Sequence, residues 1–465
     1  MVAQPGCMSN TSRPLAVLTS LFFLWGFITV LNDVLVPHWK DLFDLTHAQS
    51  LLVQFCFFGA YFIGSLIYYL ISVSSGDPIA RMGYKRGLML GLGISAVGCA
   101  LFAPASLMNS YAAHLVALFV LGLGFTVLQI AANPFVAIIG EPERASSRLN
   151  LAQAFNSLGT TLAPLIGGWL IFDQADPAAA VRIPYLGLAS ILALIAVVVW
   201  ATPLPEPVLE QGAVRGRAFQ FPQLRWGMVA IFCYVGAEVA IGSLFIAFTG
   251  LESVLGLSED AAKHYLSLYW GGAMAGRFLG AVALNDRLSV AQRLRSMGLI
   301  GAGMFVLLLA LNGGSMEALT NYWPMALWIA LNIGVLLLAG PRPGKAMALF
   351  AGAAMVLLAG VIMGQGQLAL WSIVAIGLFN SILWSNIFTL SIDGLGESTA
   401  QGSSLLVMMI VGGALIPPVQ GAIIDLVGIQ KYTTMGFHIS FLLPMACYAY
   451  LVWYGLRGSS HSTSA

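Results

Sequence analysis

The chain alternates between long apolar runs and short polar stretches. Each run holds about 20 residues, which is the length that an α-helix needs to cross a bilayer. Apolar residues are continuous within a run, whereas strands of a membrane barrel alternate, so the pattern predicts membrane-spanning helices. The first part of the chain predicts six spans, at residues 14–37, 48–74, 86–108, 111–139, 147–172 and 183–202.

A polar, proline-rich and basic stretch at 203–225 follows and is predicted to be a linker. Eight further spans are predicted at 226–250, 262–285, 294–311, 323–340, 346–364, 369–390, 401–426 and 436–456. The sequence therefore predicts an all-α polytopic membrane protein of 14 helices, with an N-terminal half at 14–202 and a C-terminal half at 226–456. Prolines inside the spans, such as Pro134 and Pro417, are expected to break or kink their helices.

Composition and charge agree with this interpretation. Only 8% of the 465 residues are charged, against about 25% in soluble domains. The net charge of +1 gives no reason to expect a nucleic-acid partner. In the predicted topology, 15 Lys and Arg residues lie on the side of the termini and four on the other. This asymmetry predicts cytoplasmic termini in a bacterial-type inner (plasma) membrane.

Two acidic side chains lie well inside predicted spans: Asp33, beside Asn32 in the first span, and Glu238 in the seventh. A carboxylate near the centre of a membrane helix costs about 3 kcal/mol, so such residues usually mark an ion or substrate site. The alternative for Asp33 is a place near the outer end of its helix, where it reaches headgroup water. The sequence holds no Ser/His/Asp array or metal-ligand cluster, so an enzyme is not expected.

Polar side chains also recur at helical spacing inside the spans. The pairs are Gln129 with Asn133, Gln153 with Asn156, and Asn380 with Trp384. Residues three or four apart share one helix face. Amides donate and accept hydrogen bonds and an indole offers a flat apolar surface, so the pairs indicate a site for a neutral polyol. The alternative is hydrogen bonding between helices, worth about 0.6 kcal/mol each on average.

Several local strings resemble the fucose–galactose–glucose symporter family of the major facilitator superfamily. They are AANPFV at 131–136, RLNLAQAFNSLG at 148–159, GRF at 276–278 and QGSSLLVMMIVGGALIPPVQG at 401–421. The general loop motif of the superfamily is also present at 76–86, except that Ala80 replaces the usual aspartate. The resemblance implies two six-helix halves that work by alternating access, with the first, fourth, seventh and tenth helices lining the cavity.

The resemblance also assigns roles to particular residues. Asp33 matches an aspartate of the family that is implied in substrate binding and coupling. Gln129 stands where the proton-coupled fucose member has a glutamate, and Glu238 stands where that member has a glutamine. Residues 346 onward resemble the ninth and tenth helices of the family, so 293–342 is interpreted as an inserted helical hairpin outside the cavity.

These observations predict a secondary active transporter for a neutral monosaccharide, either a glucose/galactose-like hexose or an N-acetylhexosamine. The coupling cation is H⁺ or Na⁺, with Asn32, Asp33 and Glu238 as the coupling residues and Asn32 and Asp33 as the expected Na⁺ ligands. No other cofactor is expected, and the protein is predicted to be monomeric. The predicted substrate-binding residues are Asp33, Gln129, Asn133, Gln153, Asn156, Glu238, Asn380 and Trp384. The alternatives are an uncoupled sugar facilitator, a non-transporting sugar sensor and a drug efflux antiporter.

Overall fold

The computed structural model describes residues 12–45, 52–172, 181–204, 218–427 and 433–459. Every regular element in these ranges is a helix. Seven α-helices precede the linker: α1 (Ser12–Leu42), α2 (Leu52–Ser75), α3 (Pro78–Met82), α4 (Tyr84–Leu107), α5 (Tyr111–Ile138), α6 (Ala145–Phe172) and α7 (Arg182–Ala201).

Twelve α-helices follow the linker. They are α8 (Pro222–Thr249), α9 (Glu259–Ala283), α10 (Val290–Leu311), α11 (Met316–Tyr322), α12 (Pro324–Ala339), α13 (Pro343–Met363), α14 (Gly366–Asn380), α15 (Leu383–Ile392), α16 (Thr399–Met408), α17 (Gly412–Val427), α18 (Thr433–Ser440) and α19 (Leu442–Trp453). Several of these helices have a side chain that caps the backbone amides at their N-terminus. At α10 the Ser289 hydroxyl accepts from the Gln292 amide nitrogen, and the Gln292 side chain accepts from Ser289, which satisfies two otherwise free backbone donors.

Eleven stretches of the described chain are helical, long and apolar enough to cross a membrane. A twelfth is added if α11 and α12, which meet at an angle of 49°, form one span. Helices α6 and α9 lie outside that set but are 28 and 25 residues long. The predicted all-helical membrane-spanning class is confirmed, while the count of fourteen spans stays a prediction.

Three predicted spans are interrupted where the hydropathy pattern is continuous. The span at 369–390 is broken between α14 and α15, the span at 401–426 between α16 and α17, and the span at 436–456 between α18 and α19. Proline does not mark these breaks. Helix α5 instead continues through Pro134 and α17 continues through Pro417, so these prolines do not break their helices, and the expectation that they kink them stays a prediction.

Two compact units form within the described chain. Unit 1 contains residues 12–145, 155–221 and 392–411, and unit 2 contains 146–154, 222–391 and 412–459. Each unit thus consists mainly of one half of the chain and takes in a short segment of the other. The division of the chain at the linker, as the sequence indicates it, stays a prediction.

In the loop between α2 and α4, the carboxylate is supplied by Asp77, since position 80 is an alanine. Asp77 caps α3: its carboxylate accepts from the amide nitrogens of Ile79 at 2.9 Å and Ala80 at 3.1 Å, and from the Tyr68 hydroxyl at 2.6 Å. Burial raises the pKa of the Asp77 carboxyl, while these donors oppose the rise. A carboxylate three residues earlier therefore organises this turn.

We expect Asp77→Ala to lower thermal stability by an amount corresponding to about 1 kcal/mol, because a lost helix cap typically costs that much. Asp77→Asn keeps an acceptor for the backbone amides and should lose less. The melting temperature of both variants, purified in detergent, is measured by size-exclusion fluorescence after heating. Equal melting of Asp77→Ala and the wild-type protein would show that the cap contributes nothing.

Candidate functional site

Glu238 is the centre of a polar cluster in unit 2. It lies on α8, and its side chain is 13% exposed. The Tyr234 hydroxyl, one turn earlier on the same helix, donates to the Glu238 carboxylate at 2.8 Å. The Arg277 guanidinium on α9 lies 4.0 Å from the same carboxylate oxygen. A charge at this depth is costly unless it is paired, so Arg277 offsets part of the cost of burying Glu238.

Arg277 connects this pair to the end of α14. Its Nε donates to the Ser381 carbonyl at 3.2 Å. The Asn380 carbonyl accepts from the Tyr234 hydroxyl, also at 3.2 Å. Both carbonyls belong to the interruption between α14 and α15, where a continuous helix would satisfy them with backbone amides. The cluster around Glu238 and the helix break therefore form one hydrogen-bonded arrangement.

Asn380, the last residue of α14, is fully buried between two tyrosines. Its Nδ2 donates to the Tyr269 hydroxyl at 3.0 Å, and its Oδ1 accepts from the Tyr448 hydroxyl at 2.5 Å. The backbones are in close contact here, since a Cβ at Gly377 would collide with the Tyr269 carbonyl. Helices α8, α9, α14 and α19 thus each contribute polar groups to the cluster.

Trp384 lies one turn beyond Asn380, just after the break, and is 7% exposed. Its ring is roughly parallel to that of Phe388, with the centroids 6.3 Å apart. The buried Trp384 Nε1 has no hydrogen-bond partner among the described residues. An indole donor without a partner is unusual in a buried site, and it suits a ligand that brings its own acceptor.

A second polar cluster lies in unit 1, where α1, α2 and α5 meet. Trp25 Nε1 donates to the Tyr61 hydroxyl at 3.2 Å, and the Gln129 side chain hydrogen-bonds to the same hydroxyl. Within the described chain, neither Gln129 Oε1 nor the side-chain nitrogen and oxygen of Asn133 have a partner. Both amides are buried, so each offers unused hydrogen-bonding capacity on the face that the sequence predicts they share.

The remaining predicted residues differ from these. Asn156 Nδ2 donates to the Phe22 carbonyl at 3.0 Å, so it links α6 to α1 in the way that the alternative of interhelical hydrogen bonding describes. Gln153 is buried and belongs to the segment of α6 that is part of unit 2. Asn32 and Asp33 lie in α1, but their side chains are outside the described residues.

The structure therefore brings Glu238 and Asn380 together through Tyr234, and it leaves Gln129 and Asn133 buried one turn apart on α5. Sequence reasoning missed the tyrosines and Arg277, which complete these clusters. Tyr234 had a signal, because it precedes Glu238 by four residues. Arg277 had one too, as a cation inside a span. Tyr269 and Tyr448 had none, since an aromatic residue in an apolar run looks like any lipid-facing or core residue.

The chemistry of the two clusters is that of binding. They hold amides, hydroxyls, two indoles and one ion pair, but no activated nucleophile. No group of three or more His, Cys, Asp or Glu side chains that could hold a metal occurs in the part of the chain that the structure describes.

Comparison with known proteins identifies the family. The model of the Major Facilitator Superfamily matches residues 15–359. The chain is 42% identical over 460 residues to a glucose/galactose transporter of Brucella abortus, covering 97% of this chain and 95% of the relative. It is 38% identical over 467 residues to a putative glucose/galactose transporter of Helicobacter pylori, covering 97% and 98%.

A solved structure agrees with these relatives. The crystal structure of the Escherichia coli fucose:proton symporter matches with a TM-score of 0.74 and 27% identity, covering 97% of this chain and 99% of that chain. The relatives are transporters, which confirms the prediction of a transporter rather than an enzyme and places the protein in a membrane. The chain belongs to the Major Facilitator Superfamily.

Proposed function

We propose that this protein is a secondary active transporter that takes up a neutral hexose of the glucose/galactose type. N-acetylhexosamine is the next substrate class to test. Alternating access around a site in the middle of the membrane would carry the sugar across. The names of the Brucella and Helicobacter relatives support the substrate class.

The broken helix α14–α15 is the observation that carries the proposal. Non-helical backbone at membrane depth is tolerated where protein buries it or where it lines a cavity, and transporter binding sites are typically formed at such discontinuous helices. Here the break is flanked by a fully buried amide, Asn380, and by Trp384 with its free indole donor. A hexose ring stacks on indole and its hydroxyls accept from N–H groups, so this combination suits a sugar. Gln129 and Asn133 are proposed as further ligands of the hydroxyls.

We propose H⁺ as the coupling ion, with Glu238 and Asp33 as the carboxylates that respond to it. The Arg277 guanidinium already lies beside Glu238, so Na⁺ binding there would bring a second cation against a fixed positive charge. A proton instead neutralises the carboxylate and loosens its hold on Arg277, which also holds the Ser381 carbonyl. Na⁺ bound by Asn32 and Asp33 is the competing mechanism.

We expect Asp33→Asn to abolish concentrative uptake while leaving the protein folded, because an amide cannot gain or lose a proton. The control is Asp286→Asn, which removes an acid from an exposed loop and should transport normally. Uptake of labelled sugar into vesicles, with a pH gradient imposed, measures both. Wild-type accumulation by Asp33→Asn would mean that Asp33 merely reaches the membrane surface.

We also propose that the chain crosses the membrane fourteen times, with cytoplasmic termini in an inner membrane, and acts as a monomer. Adding α6, α9 and the bent pair α11–α12 to the eleven candidate stretches gives that number. Helices α10 to α12, called here the hairpin, would be the inserted pair of spans. Labelling single cysteines from outside at Met316 and from inside at Arg342 tests this topology, and labelling of both from one side would refute it.

Sugar binding is the direct test of the proposed function. The melting temperature of the purified protein should rise when glucose or galactose is added, and should rise less with L-fucose. The panel is measured at two pH values, with and without Na⁺. Only binding to the native state stabilises it, by an amount that grows with ligand concentration. No stabilisation by any monosaccharide in the panel would contradict the proposal. Binding without flux in liposomes would favour a sensor, and flux without accumulation would favour a facilitator.

A further inference from the structure

One buried stripe of α12, within the hairpin, packs against the rest of unit 2. Met325, Ile329, Asn332 and Leu336 are buried at helical spacing, so they form a single face. This face packs on α9 and α14: the Met325 methyl group lies close to the position that a Cβ on Gly272 would take. Three members of the stripe are apolar, and the fourth, Asn332, is polar and 0% exposed.

Asn332 has a specific partner at the end of α14. Its Nδ2 donates to the Leu378 carbonyl at 3.2 Å, and the Ser381 hydroxyl donates to the same carbonyl at 2.6 Å. Asn332 Oδ1 has no partner among the described residues. Burying an amide with half of its hydrogen-bonding capacity unused is costly. A residue kept for packing alone would be apolar, as its neighbours on the stripe are.

The Leu378 carbonyl is one of three at the α14–α15 break that accept side-chain donors. The other two belong to Asn380 and Ser381, which accept from Tyr234 and Arg277. Donors from three helices, α8, α9 and α12, thus hold the break. Leu378 precedes Asn380 by two residues and Trp384 by six, so the position of its carbonyl affects where both of these side chains lie.

We infer that Asn332 is a positioning residue for the sugar site, through which the hairpin fixes the break between α14 and α15. The hairpin is therefore a functional part of the site and does more than fill space beside it. This inference rests on the proposed role of the break in sugar binding. Asn332 itself does not touch the sugar in this account.

The chain offers a matched control inside the same hairpin. Asn312, at the end of α10, is also a buried asparagine, at 6% exposure. It donates to the Ser267 hydroxyl at 3.4 Å and to the Leu308 carbonyl at 2.9 Å, and its Oδ1 lies 3.1 Å from His264 Nδ1. These partners are on α9 and α10, so Asn312→Leu perturbs the hairpin without removing a donor from the break.

The first test compares sugar affinity. Asn332→Leu should raise the KM for uptake and the Kd for binding about threefold to tenfold, because one interhelical hydrogen bond is lost. Asn312→Leu should leave both unchanged at comparable thermal stability. If the leucine variant does not fold, Asn332→Ala replaces it in the same measurement, because it removes the donor without adding bulk. Unchanged affinity in a folded Asn332 variant, or equal changes in the Asn332 and Asn312 variants, would overturn the inference.

The second test needs no sugar. Hydrogen exchange of the peptide spanning 376–388 should be at least about threefold faster in Asn332→Leu than in the wild type, since the break loses a donor that holds it. Asn312→Leu should match the wild type in this peptide. Unchanged exchange in the Asn332 variant overturns the inference whatever the protein binds. Failure of the wild-type protein to bind any sugar, with exchange as expected, would instead contradict only the proposed function.

Discussion

Arg277→Leu is expected to destabilise the protein strongly, by about 3–5 kcal/mol, because it leaves the Glu238 carboxylate buried without its counter-charge. Among the described residues, Glu238 would keep only the hydrogen bond from the Tyr234 hydroxyl, and the Ser381 carbonyl would lose the Arg277 donor as well. The double variant Arg277→Leu/Glu238→Gln removes both charges and should recover much of the stability. Thermal melting of the single and double variants, analysed as a double-mutant cycle, measures the interaction.

A surface ion pair provides the comparison. Arg144 Nε lies 3.0 Å from Glu141 Oε2, with side chains that are 24% and 29% exposed. Pairs of this kind contribute about 0–1 kcal/mol to stability. Arg144→Leu should therefore barely change the melting temperature, even though the Arg144–Glu141 distance is shorter than the Arg277–Glu238 distance. If the Arg277 and Arg144 variants melted alike, burial of the Glu238–Arg277 pair would not be the determining feature of this cluster.

Trp384→Ala is expected to weaken sugar binding about tenfold to hundredfold, beyond the loss of stability that truncating a buried tryptophan causes. The substitution removes both an aromatic stacking surface and the unpartnered indole donor, each worth about 1 kcal/mol. Trp384→Phe keeps a stacking surface and loses only the donor, so it should weaken binding by about fivefold. Titration of glucose and galactose against the purified variants gives the Kd values.

Trp371 is the matched control for this series. It lies on α14 and is 9% exposed, close to the 7% of Trp384. Its ring packs edge-on against Tyr265, with centroids 5.8 Å apart, so Trp371→Ala should lower stability without changing Kd specifically. Loss of binding in Trp371→Ala equal to that in Trp384→Ala would point to a general packing defect and would contradict stacking at Trp384.

The fold follows from the sequence because lipid leaves few options. Runs of about 20 apolar residues without alternation must become helices. The breaks could not be predicted in the same way. Ser381 and Ile382 interrupt a span without proline or glycine, and their conformation depends on donors from distant residues such as Arg277 and Asn332. Helix α5, in contrast, continues through Pro134. Proline was therefore a poor predictor of where a helix is interrupted, because tertiary contacts determine the positions of the breaks.

The site was predictable where its chemistry is conspicuous. Glu238 and Asn380 stand out as polar groups in apolar runs, and the structure joins them through the Tyr234 hydroxyl. The tyrosines that orient Asn380 were not predictable, because a tyrosine in a span carries no mark of its hydroxyl's partner. Asn332 was hidden for a related reason, since a single amide on an apolar stripe reveals a role only when its acceptor is known.

Accumulation of sugar in proteoliposomes tests the central claim most directly. Purified protein is reconstituted, and uptake of labelled glucose or galactose is followed under an imposed pH gradient, an imposed Na⁺ gradient, or neither. The account predicts concentrative uptake driven by the pH gradient, equilibration without a gradient, and loss of accumulation in Asp33→Asn and Glu238→Gln. Equilibration under every gradient would contradict coupled transport, and accumulation driven by Na⁺ alone would contradict the proton as the coupling ion.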